Sequence, residues 1–207
     1  SGIRYTRNTP DMTAASSIAA SNAGNFDLHL ALHSNAAAGV QAGKARGSIV
    51  FYYPGSTNGQ RAAELIADGL KTIYPDPNKV RTEATTSLGE VARVNAPAVL
   101  VELAFHDNPE DANWIKANLD SAARVIVLAL TEYFDIPFFE TENRRSGVVD
   151  VEWGNLNVRA RPSTSAAIVA QAPDGAPITV LNTANGWHLV NYNGTIGYVS
   201  SEFVTLT

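Results

Sequence analysis

The apolar run PAVLVELAF at residues 97–105 restricts the folds open to this chain. A strand with one solvent-facing side alternates apolar and polar residues, whereas this run is almost continuous. It therefore predicts a central strand buried on both faces, with helices covering the sheet, as in α/β folds. One charged residue, Glu102, interrupts the run. A buried ionised carboxylate is costly unless it is paired, lies near a cation or opens into a cleft.

Two interpretations of Glu102 are open. In the structural one, Glu102 pairs with Arg81 or Arg93, or its side chain reaches solvent at the end of the strand. In the functional one, the carboxylate lies beside a metal-bound water and takes part in catalysis. His106 and Asp107 directly follow the apolar run. They could form a hydrogen-bonded pair, but we expect Asp107 to cap the helix that follows.

The first two thirds of the chain alternates short apolar runs with helical periods, which predicts parallel βαβ units. We expect the end of a strand at residues 2–8, a helix at 13–20, and strands at 26–33 and 48–53. Another helix is predicted to begin near Ser56 and to stop at Pro75. After the central strand, Asn108 is predicted to cap one long helix, with Pro109 at its first position and an apolar stripe that includes Leu119.

The segment DLHLALHSN at residues 27–35 contains two histidines on one face of a predicted strand. His33 lies at the carboxyl end, where α/β sheets bind ligands. His29 and His33 are about 13 Å apart along a regular strand, at about 3.3 Å per residue, so they are not expected to share a metal ion. For His29 we favour a structural role as a hydrogen-bonded histidine.

Residues 140–147 (ETENRRSG) are polar, and no strong helical period follows them. They mark a predicted boundary between domain 1–140, linker 141–147 and domain 148–207. The last domain reads as five or more short strands, and Asn193-Gly194 predicts a tight hairpin. About sixty residues of short strands fit a small, closed or partly closed β-barrel.

Composition limits the classes of ligand. The net charge of −5 at pH 7 gives no electrostatic reason to expect nucleic acid or an anionic membrane surface as a partner. No apolar stretch is long enough to predict a membrane span. The chain has no cysteine, so any metal site must use histidines and carboxylates.

Four segments of the first domain carry a family resemblance: TRN at 6–8, LALHSNA at 30–36, GSIVFYY at 47–53 and PAVLVELAFHDN at 97–108. In order and spacing they resemble the zinc-dependent N-acetylmuramoyl-L-alanine amidase family. The resemblance implies that His33 is a zinc ligand and Glu102 the catalytic carboxylate, and we expect Asn35 to contact the substrate. In that family another His and a Glu ligand lie upstream of the segment resembling residues 3–8, so the remaining zinc ligands are expected before Ser1.

Residues 147–207 resemble the bacterial SH3 family in the segments LNVRARPS at 156–163, DG at 174–175, GWHLV at 186–190 and GYV at 197–199. The resemblance implies binding of peptidoglycan without catalysis. Trp187, Tyr192 and Tyr198 are candidates for contact with the wall. The alternative is that Trp187 and Tyr198 fill the barrel core, because so small a barrel needs large apolar side chains. His188 alternates away from Trp187 and is expected to be exposed.

These resemblances imply an α/β amidase-like domain with a mostly parallel sheet flanked by helices, followed by an all-β SH3-like barrel. The implied function is that of a bacterial peptidoglycan hydrolase, located outside the cell or in the cell wall. It would cleave the amide between N-acetylmuramic acid and L-alanine of the stem peptide. The alternative is a peptidoglycan-binding protein with a degenerate amidase fold that does not cut.

Overall fold

The computed structural model describes residues 2–139 and 143–207. The chain divides into two compact units. The first unit contains residues 7–133, and the second contains residues 2–6 together with the chain from Phe134 onward. Within the described ranges, no helix is both long and apolar enough to cross a membrane.

Four strands and five α-helices are described in the first unit. In chain order they are α1 (Ala14–Ala23), β1 (His29–Asn35), β2 (Ile49–Tyr52), α2 (Thr57–Lys71), β3 (Arg81–Ala84), α3 (Gly89–Ala92), β4 (Ala98–Phe105), α4 (Pro109–Ala117) and α5 (Leu119–Tyr133). The predicted central strand at 97–105 is thus confirmed as β4. The predicted end of a strand at residues 2–8 is wrong, because the structure assigns no strand there.

The sheet order is β1-β4-β2-β3, so β4 has a neighbour on each side. The β1–β4 and β2–β3 pairs are parallel, and β2 runs antiparallel to β4. The expectation of a mostly parallel sheet with flanking helices is confirmed. The orientation of β2 has a physical reason. A strand that returns parallel to the preceding one needs a crossover connection, usually a helix, whereas β1 and β2 are joined by a loop with a single short 3-10 turn. Strand β2 therefore runs opposite to β1, and so also to β4, which is parallel to β1.

Helices α2 and α5 cover one face of the sheet and form the main core with the apolar side chains of β2 and β4. Ala31 of β1 and Leu100 of β4 point to the other face, where they pack with Val91 of α3. Because side chains alternate along a strand, His33 and Glu102 share that second face with Ala31 and Leu100.

The predicted helix starts are confirmed. Ser56 caps α2 through Gly59 N, and the side chain of Asn108 accepts hydrogen bonds from Glu110 N and Asp111 N at the start of α4. The single long helix after Asn108 is instead two helices, with a break at Asn118. Leu119, predicted to lie in the apolar stripe, is 57% exposed because it starts the second helix at this break.

The second unit contains seven described strands, which form one antiparallel sheet in the order β11-β5-β8-β9-β10-β6-β7. They are β5 (Arg145–Val149), β6 (Asn155–Arg159), β7 (Ile168–Pro173), β8 (Pro177–Ala184), β9 (Trp187–Tyr192), β10 (Thr195–Ser200) and β11 (Val204–Leu206). Of the predicted linker 141–147, residues 141 and 142 lie outside the described part of the chain, as does Glu140 of the first predicted domain. Residues 145–147 form the start of β5.

The predicted hairpin at Asn193-Gly194 is confirmed. Tyr192 of β9 pairs with Thr195 of β10, which leaves a two-residue turn. Asn193 has φ 49° and Gly194 has φ 84°, the positive values that a tight hairpin turn of this type requires.

Candidate active site

Glu102 lies on β4, which has a neighbouring strand on each side, and its carboxylate is partly buried. Burial raises the pKa of this carboxyl above its ordinary value, while the positive potential of His33 and His106 partly offsets the rise. Its Oε2 atom is buried and accepts no hydrogen bond from the described residues. Arg81 pairs with Glu83 instead, and no ion pair joins Glu102 to Arg93 within the described ranges. The structural interpretation of Glu102 as half of an Arg–Glu pair is therefore wrong.

His33 lies directly opposite Glu102 in the parallel β1–β4 pair. The ring is about half exposed, and its Nε2 donates a hydrogen bond to Oε2 of Glu90 over 2.9 Å. Glu90 belongs to α3, which packs over this face of the sheet, and only 8% of the residue is exposed. His33, which lies opposite Glu102, is thus oriented by the buried carboxylate of Glu90.

His29 lies on the same face, further from the carboxyl end of β1. Its Nδ1 shares a 3.1 Å hydrogen bond with Ser21 Oγ of α1, which confirms the structural role expected for this histidine. Its Nε2 is 3.9 Å from Oε1 of Glu90. Burial lowers the pKa of His29, and Glu90 offsets part of that effect.

His106 follows β4 and turns back toward β1. Its Nδ1 donates to the backbone oxygen of Ser34 over 3.1 Å and also lies 3.0 Å from Ser34 Oγ. The alternative of a His106–Asp107 hydrogen-bonded pair is therefore wrong, because the His106 ring bonds to Ser34. Asp107 is not the helix cap either, because Asn108 takes that position and the Asp107 carboxylate turns toward the loop after β1.

The loop between β1 and β2 is held at Gly43. Its N–H donates to Asp107 Oδ2 over 2.8 Å, and its carbonyl accepts from Asn108 Nδ2 over 2.9 Å. The hydrogen bond from Gly43 lowers the pKa of Asp107. These contacts fix the loop beside the carboxyl ends of β1 and β4, where His33 and Glu102 lie.

Asp111 of α4 connects the end of the loop between β1 and β2 to the end of β4 and to Tyr74. Its carboxylate is fully buried and accepts hydrogen bonds from Arg46 Nε, Gly47 N, Phe105 N and the Tyr74 hydroxyl. Burial pushes the pKa of Asp111 upward, but these hydrogen bonds outweigh it, and the pKa lies below the ordinary value. The charge is thus stabilised in the folded state.

Asn35 ends β1 next to this group. Its Oδ1 accepts from the N–H of Ala36 over 2.8 Å, and its backbone oxygen accepts from His106 N, also over 2.8 Å. The fold therefore brings Asn35, His33 and Glu102 to the same end of the sheet.

The zinc ion implied by the resemblance requires three protein ligands and a water. No group of three His, Asp or Glu side chains in residues 2–139 and 143–207 is arranged to hold a metal ion. His33, the ligand named by the resemblance, has its Nε2 bonded to Glu90. The described residues therefore do not complete a zinc site.

In the second unit, the candidate wall-contacting aromatics have different environments. Trp187 and Tyr192 are partly exposed, whereas Tyr198 is only 1% exposed and packs with Leu181 and Leu189. Tyr198 is thus buried in this small cluster, whereas its neighbour Val199 belongs to the main core of the second unit, so the structural alternative that Tyr198 fills the barrel core is wrong.

The expectation that His188 is exposed is wrong, since only 4% of the residue is accessible. It lies on β9, which is paired on both sides, by β8 and by β10. Its Nδ1 forms a 2.7 Å hydrogen bond with Thr183 Oγ1, and burial lowers its pKa.

Two residues of the site were not identified from sequence. Glu90 lies in the segment SLGEVAR, where nothing distinguishes it from an ordinary surface glutamate. Ser34 is next to His33, but its contact with His106 joins two segments that are distant in the chain. Neither contact has a sequence signal, because both depend on how β1, α3 and β4 pack.

Comparison with protein families gives two matches. The model of the N-acetylmuramoyl-L-alanine amidase family matches residues 2–132. The model of the bacterial SH3 domain matches residues 154–205. Together they cover most of the chain without overlap.

A curated relative is YrvJ of Bacillus subtilis (strain 168), whose name assigns it to the N-acetylmuramoyl-L-alanine amidases. The identity is 27% over 139 residues, which are 67% of this chain and 26% of YrvJ. This chain thus spans about a quarter of the length of that relative.

Solved structures share the fold. The catalytic domain of the CD27L endolysin, which targets Clostridia difficile, is 29% identical with a TM-score of 0.50, over 57% of this chain and 62% of that one. The amidase Ami1 from Mycobacterium smegmatis is 18% identical with a TM-score of 0.52, over 64% of this chain and 65% of that one. At 18% identity, the second comparison carries information about the fold alone.

Proposed function

This chain belongs to the N-acetylmuramoyl-L-alanine amidase family and has a bacterial SH3 domain, and we propose that it is a peptidoglycan hydrolase. It would cleave the amide between N-acetylmuramic acid and L-alanine of the stem peptide. The observation that carries the proposal is the partly buried Glu102 carboxylate opposite His33, at the end of the sheet where α/β folds bind ligands.

Glu102 would act as the general base. Burial raises the pKa of Glu102, so this carboxylate binds a proton more readily than one in water, which suits a proton acceptor. It would take a proton from the attacking water and pass it to the departing amine. Asn35, at the end of β1, would contact the substrate.

Zinc dependence is a separate part of the proposal and is supported by the resemblance, which makes His33 a ligand. A zinc ion on Nε2 of His33 would have to replace its hydrogen bond to Glu90. Zinc titration by calorimetry, with His33→Ala as the comparison, tests this directly. Equal zinc affinity of the two proteins would contradict the assignment of His33.

The SH3 domain would hold the enzyme on the wall and so raise the local concentration of substrate. We propose the partly exposed Trp187 and Tyr192 for this contact. Tyr198 is buried, so it is not proposed as a contact with the wall. This role implies action outside the cell or in the wall of a bacterium, with peptidoglycan as the partner. We propose residues 1–140 as the amidase domain and residues 148–207 as the wall-binding domain.

Digestion of purified peptidoglycan tests the activity. We expect release of stem peptides that carry a free L-alanine amino group, detected by mass spectrometry, and loss of release in a chelator with recovery on added zinc. A protein that releases no such peptide with zinc present would contradict the proposal.

A second candidate function is peptidoglycan binding without cleavage. The observation that favours it is that the described residues contain no three-residue group able to hold a metal ion. Co-sedimentation with purified wall separates the two candidates. Binding without peptide release supports the second, and binding with release supports the first.

A further inference from the structure

The His33 ring has two nitrogens, and the fold engages one of them. Nε2 donates a hydrogen bond to Oε2 of Glu90 over 2.9 Å, whereas Nδ1 makes no hydrogen bond to residues 2–139 or 143–207. We propose that Glu90 is a positioning residue for His33, which holds the ring in the tautomer whose Nδ1 is free to bind the metal ion. This inference rests on the zinc-dependent form of the proposed amidase function and names the nitrogen that would serve it.

The hydrogen bond to Glu90 fixes the tautomer of the His33 ring. An ionised carboxylate can only accept, so Nε2 carries the proton of the neutral ring. Nδ1 then carries the lone pair, which is the group that a histidine offers to a metal ion. Histidines that bind metal ions almost always donate their other ring N–H to a carboxylate, a backbone carbonyl or a water, and the His33–Glu90 pair has this arrangement.

Burial of Glu90 favours Nδ1 over Nε2 as the ligand atom. A metal ion on Nε2 would remove the ring proton and break the hydrogen bond to a residue that is only 8% exposed. Leaving a buried charged group without its hydrogen bond is costly. A metal ion on Nδ1 leaves the hydrogen bond between His33 and Glu90 intact, so it carries no such cost.

Glu90 is held over this face of the sheet by the packing of α3. Its neighbour Val91 is 3% exposed and packs against Ala31 of β1 and Leu100 of β4. His33 follows Ala31 by two residues, so the two side chains lie on the same face of β1. The buried contacts of Val91 therefore bring the carboxylate of Glu90 to the His33 ring.

A second attachment fixes the end of α3 to α1. The side chain of Asn22 donates to the carbonyl of Arg93 over 2.8 Å and accepts from the N–H of Asn95 over 2.7 Å. Glu90 thus belongs to a segment whose position is set by contacts other than its own. A partner that the fold already holds in place can orient a ligand precisely, as a positioning residue must.

His29 lies on the same face of β1 but is not oriented by Glu90. Its Nε2 is 3.9 Å from Oε1 of Glu90, which is too long for a hydrogen bond. This Nε2 atom is buried and has no hydrogen-bond partner among the described residues. Of the two histidines, Glu90 therefore acts on His33.

Heteronuclear NMR of the full chain, with labelled histidine nitrogens, tests the tautomer directly. Above the ordinary pKa of histidine, about 6.5, the two nitrogens of a neutral ring give separate resonances that show which of them carries the proton. The spectrum of His33→Ala identifies the resonances of His33. In the wild type we expect a proton on Nε2, and added Zn²⁺ should shift the Nδ1 resonance while the Nε2 proton remains.

Zinc titration by calorimetry measures what the carboxylate contributes. Loss of the hydrogen-bond partner of a metal-bound histidine lowers metal affinity by about 10–100-fold, and we expect Glu90→Ala to fall in this range. Glu90→Gln keeps an amide oxygen that can accept from Nε2, so it should retain most of the affinity. Glu83→Ala removes an exposed glutamate of β3 and is the matched control, with no change expected.

Other roles of Glu90 predict different results. If Glu90 competes with the metal ion for Nε2, Glu90→Ala binds zinc more tightly than the wild type. If Glu90 is itself a ligand, Glu90→Gln loses as much affinity as Glu90→Ala. Either result overturns the proposal, as does a proton on Nδ1 of His33 or equal zinc affinity of the wild type and His33→Ala. Circular dichroism shows whether each variant folds, and the NMR test needs no Glu90 variant.

Failure of this inference and failure of the amidase function are distinguishable, because the tautomer and the zinc affinity are measured without cleavage. A wild type that binds zinc through Nδ1 of His33 and releases no stem peptide contradicts the amidase function, while the role of Glu90 stands. A wild type that releases stem peptide with its His33 proton on Nδ1 overturns the role of Glu90, while the amidase function stands.

Discussion

His33 and Glu102 are register partners in the parallel β1–β4 pair, so their side chains lie on the same face of the sheet. The partnership places an imidazole beside a partly buried carboxylate. The His33 ring also donates a hydrogen bond to Glu90.

Glu102→Gln should abolish cleavage and leave wall binding intact. The amide is nearly the same size as the carboxylate but cannot accept a proton, and a general base contributes about 10²–10⁴-fold to rate. Stem-peptide release and co-sedimentation with wall measure the two properties. Glu83→Gln, on the exposed part of β3, is the matched control and should keep both. Survival of activity in Glu102→Gln would show that another residue is the base.

The same variant should be more stable than the wild type at neutral pH. The pKa of Glu102 is raised by burial, so the folded state favours the protonated form. Its contribution to stability is complete below the unfolded pKa, near 4.5, and is lost as pH rises through the folded pKa. The melting temperature of Glu102→Gln should therefore exceed that of the wild type by an amount that grows from pH 4 to pH 7. The two proteins are compared at constant ionic strength. A flat difference would contradict the raised pKa.

Asp111→Ala should destabilise the first unit by about 3–5 kcal/mol, because it leaves a partly buried guanidinium and two backbone N–H groups without their acceptor. Urea denaturation measures the loss. Asp68→Asn removes an exposed carboxylate paired with Lys71 and should cost less than about 1 kcal/mol. Equal effects of the two substitutions would show that the buried contacts of Asp111 do not stabilise the fold.

The buried His188 should make the second unit sensitive to acid. Burial lowers its pKa below 6.5 in the folded state, so the unfolded chain binds the proton more readily. The stability from this residue is complete above pH 6.5 and is lost as pH falls through the folded pKa. The drop in unfolding free energy between pH 7.5 and pH 5 should be smaller in His188→Gln. An identical drop would assign the acid sensitivity to other groups.

Tyr198 and Tyr192 should separate stability from wall binding. Tyr198→Ala removes a buried ring that packs with Leu181 and Leu189 and should cost about 3–5 kcal/mol in unfolding free energy. Tyr192→Ala removes a partly exposed ring, so it should weaken co-sedimentation with wall at a smaller cost in stability. The reverse pattern would move the wall contact to Tyr198.

Features that depend on neighbouring residues could be predicted from the sequence. The caps Ser56 and Asn108 and the Asn193-Gly194 turn each depend on side chains and backbone angles within a few positions. The central strand β4 was predictable because its residues are almost all apolar, as expected of a strand that is buried on both faces. The break at Asn118 was missed, since the apolar period continues across it.

By itself, the sequence determined the central strand, the helix starts, the tight hairpin, and the candidates His33 and Glu102, because local composition and motif order contain that information. Only the tertiary structure decided which partners they meet. Glu90 reaches His33, and Ser34 orients His106, because helix packing and strand pairing bring together residues that are distant in the chain. Burial of His188 and Tyr198 was likewise decided by packing within the second unit, since alternation along one strand does not show which of its faces is covered.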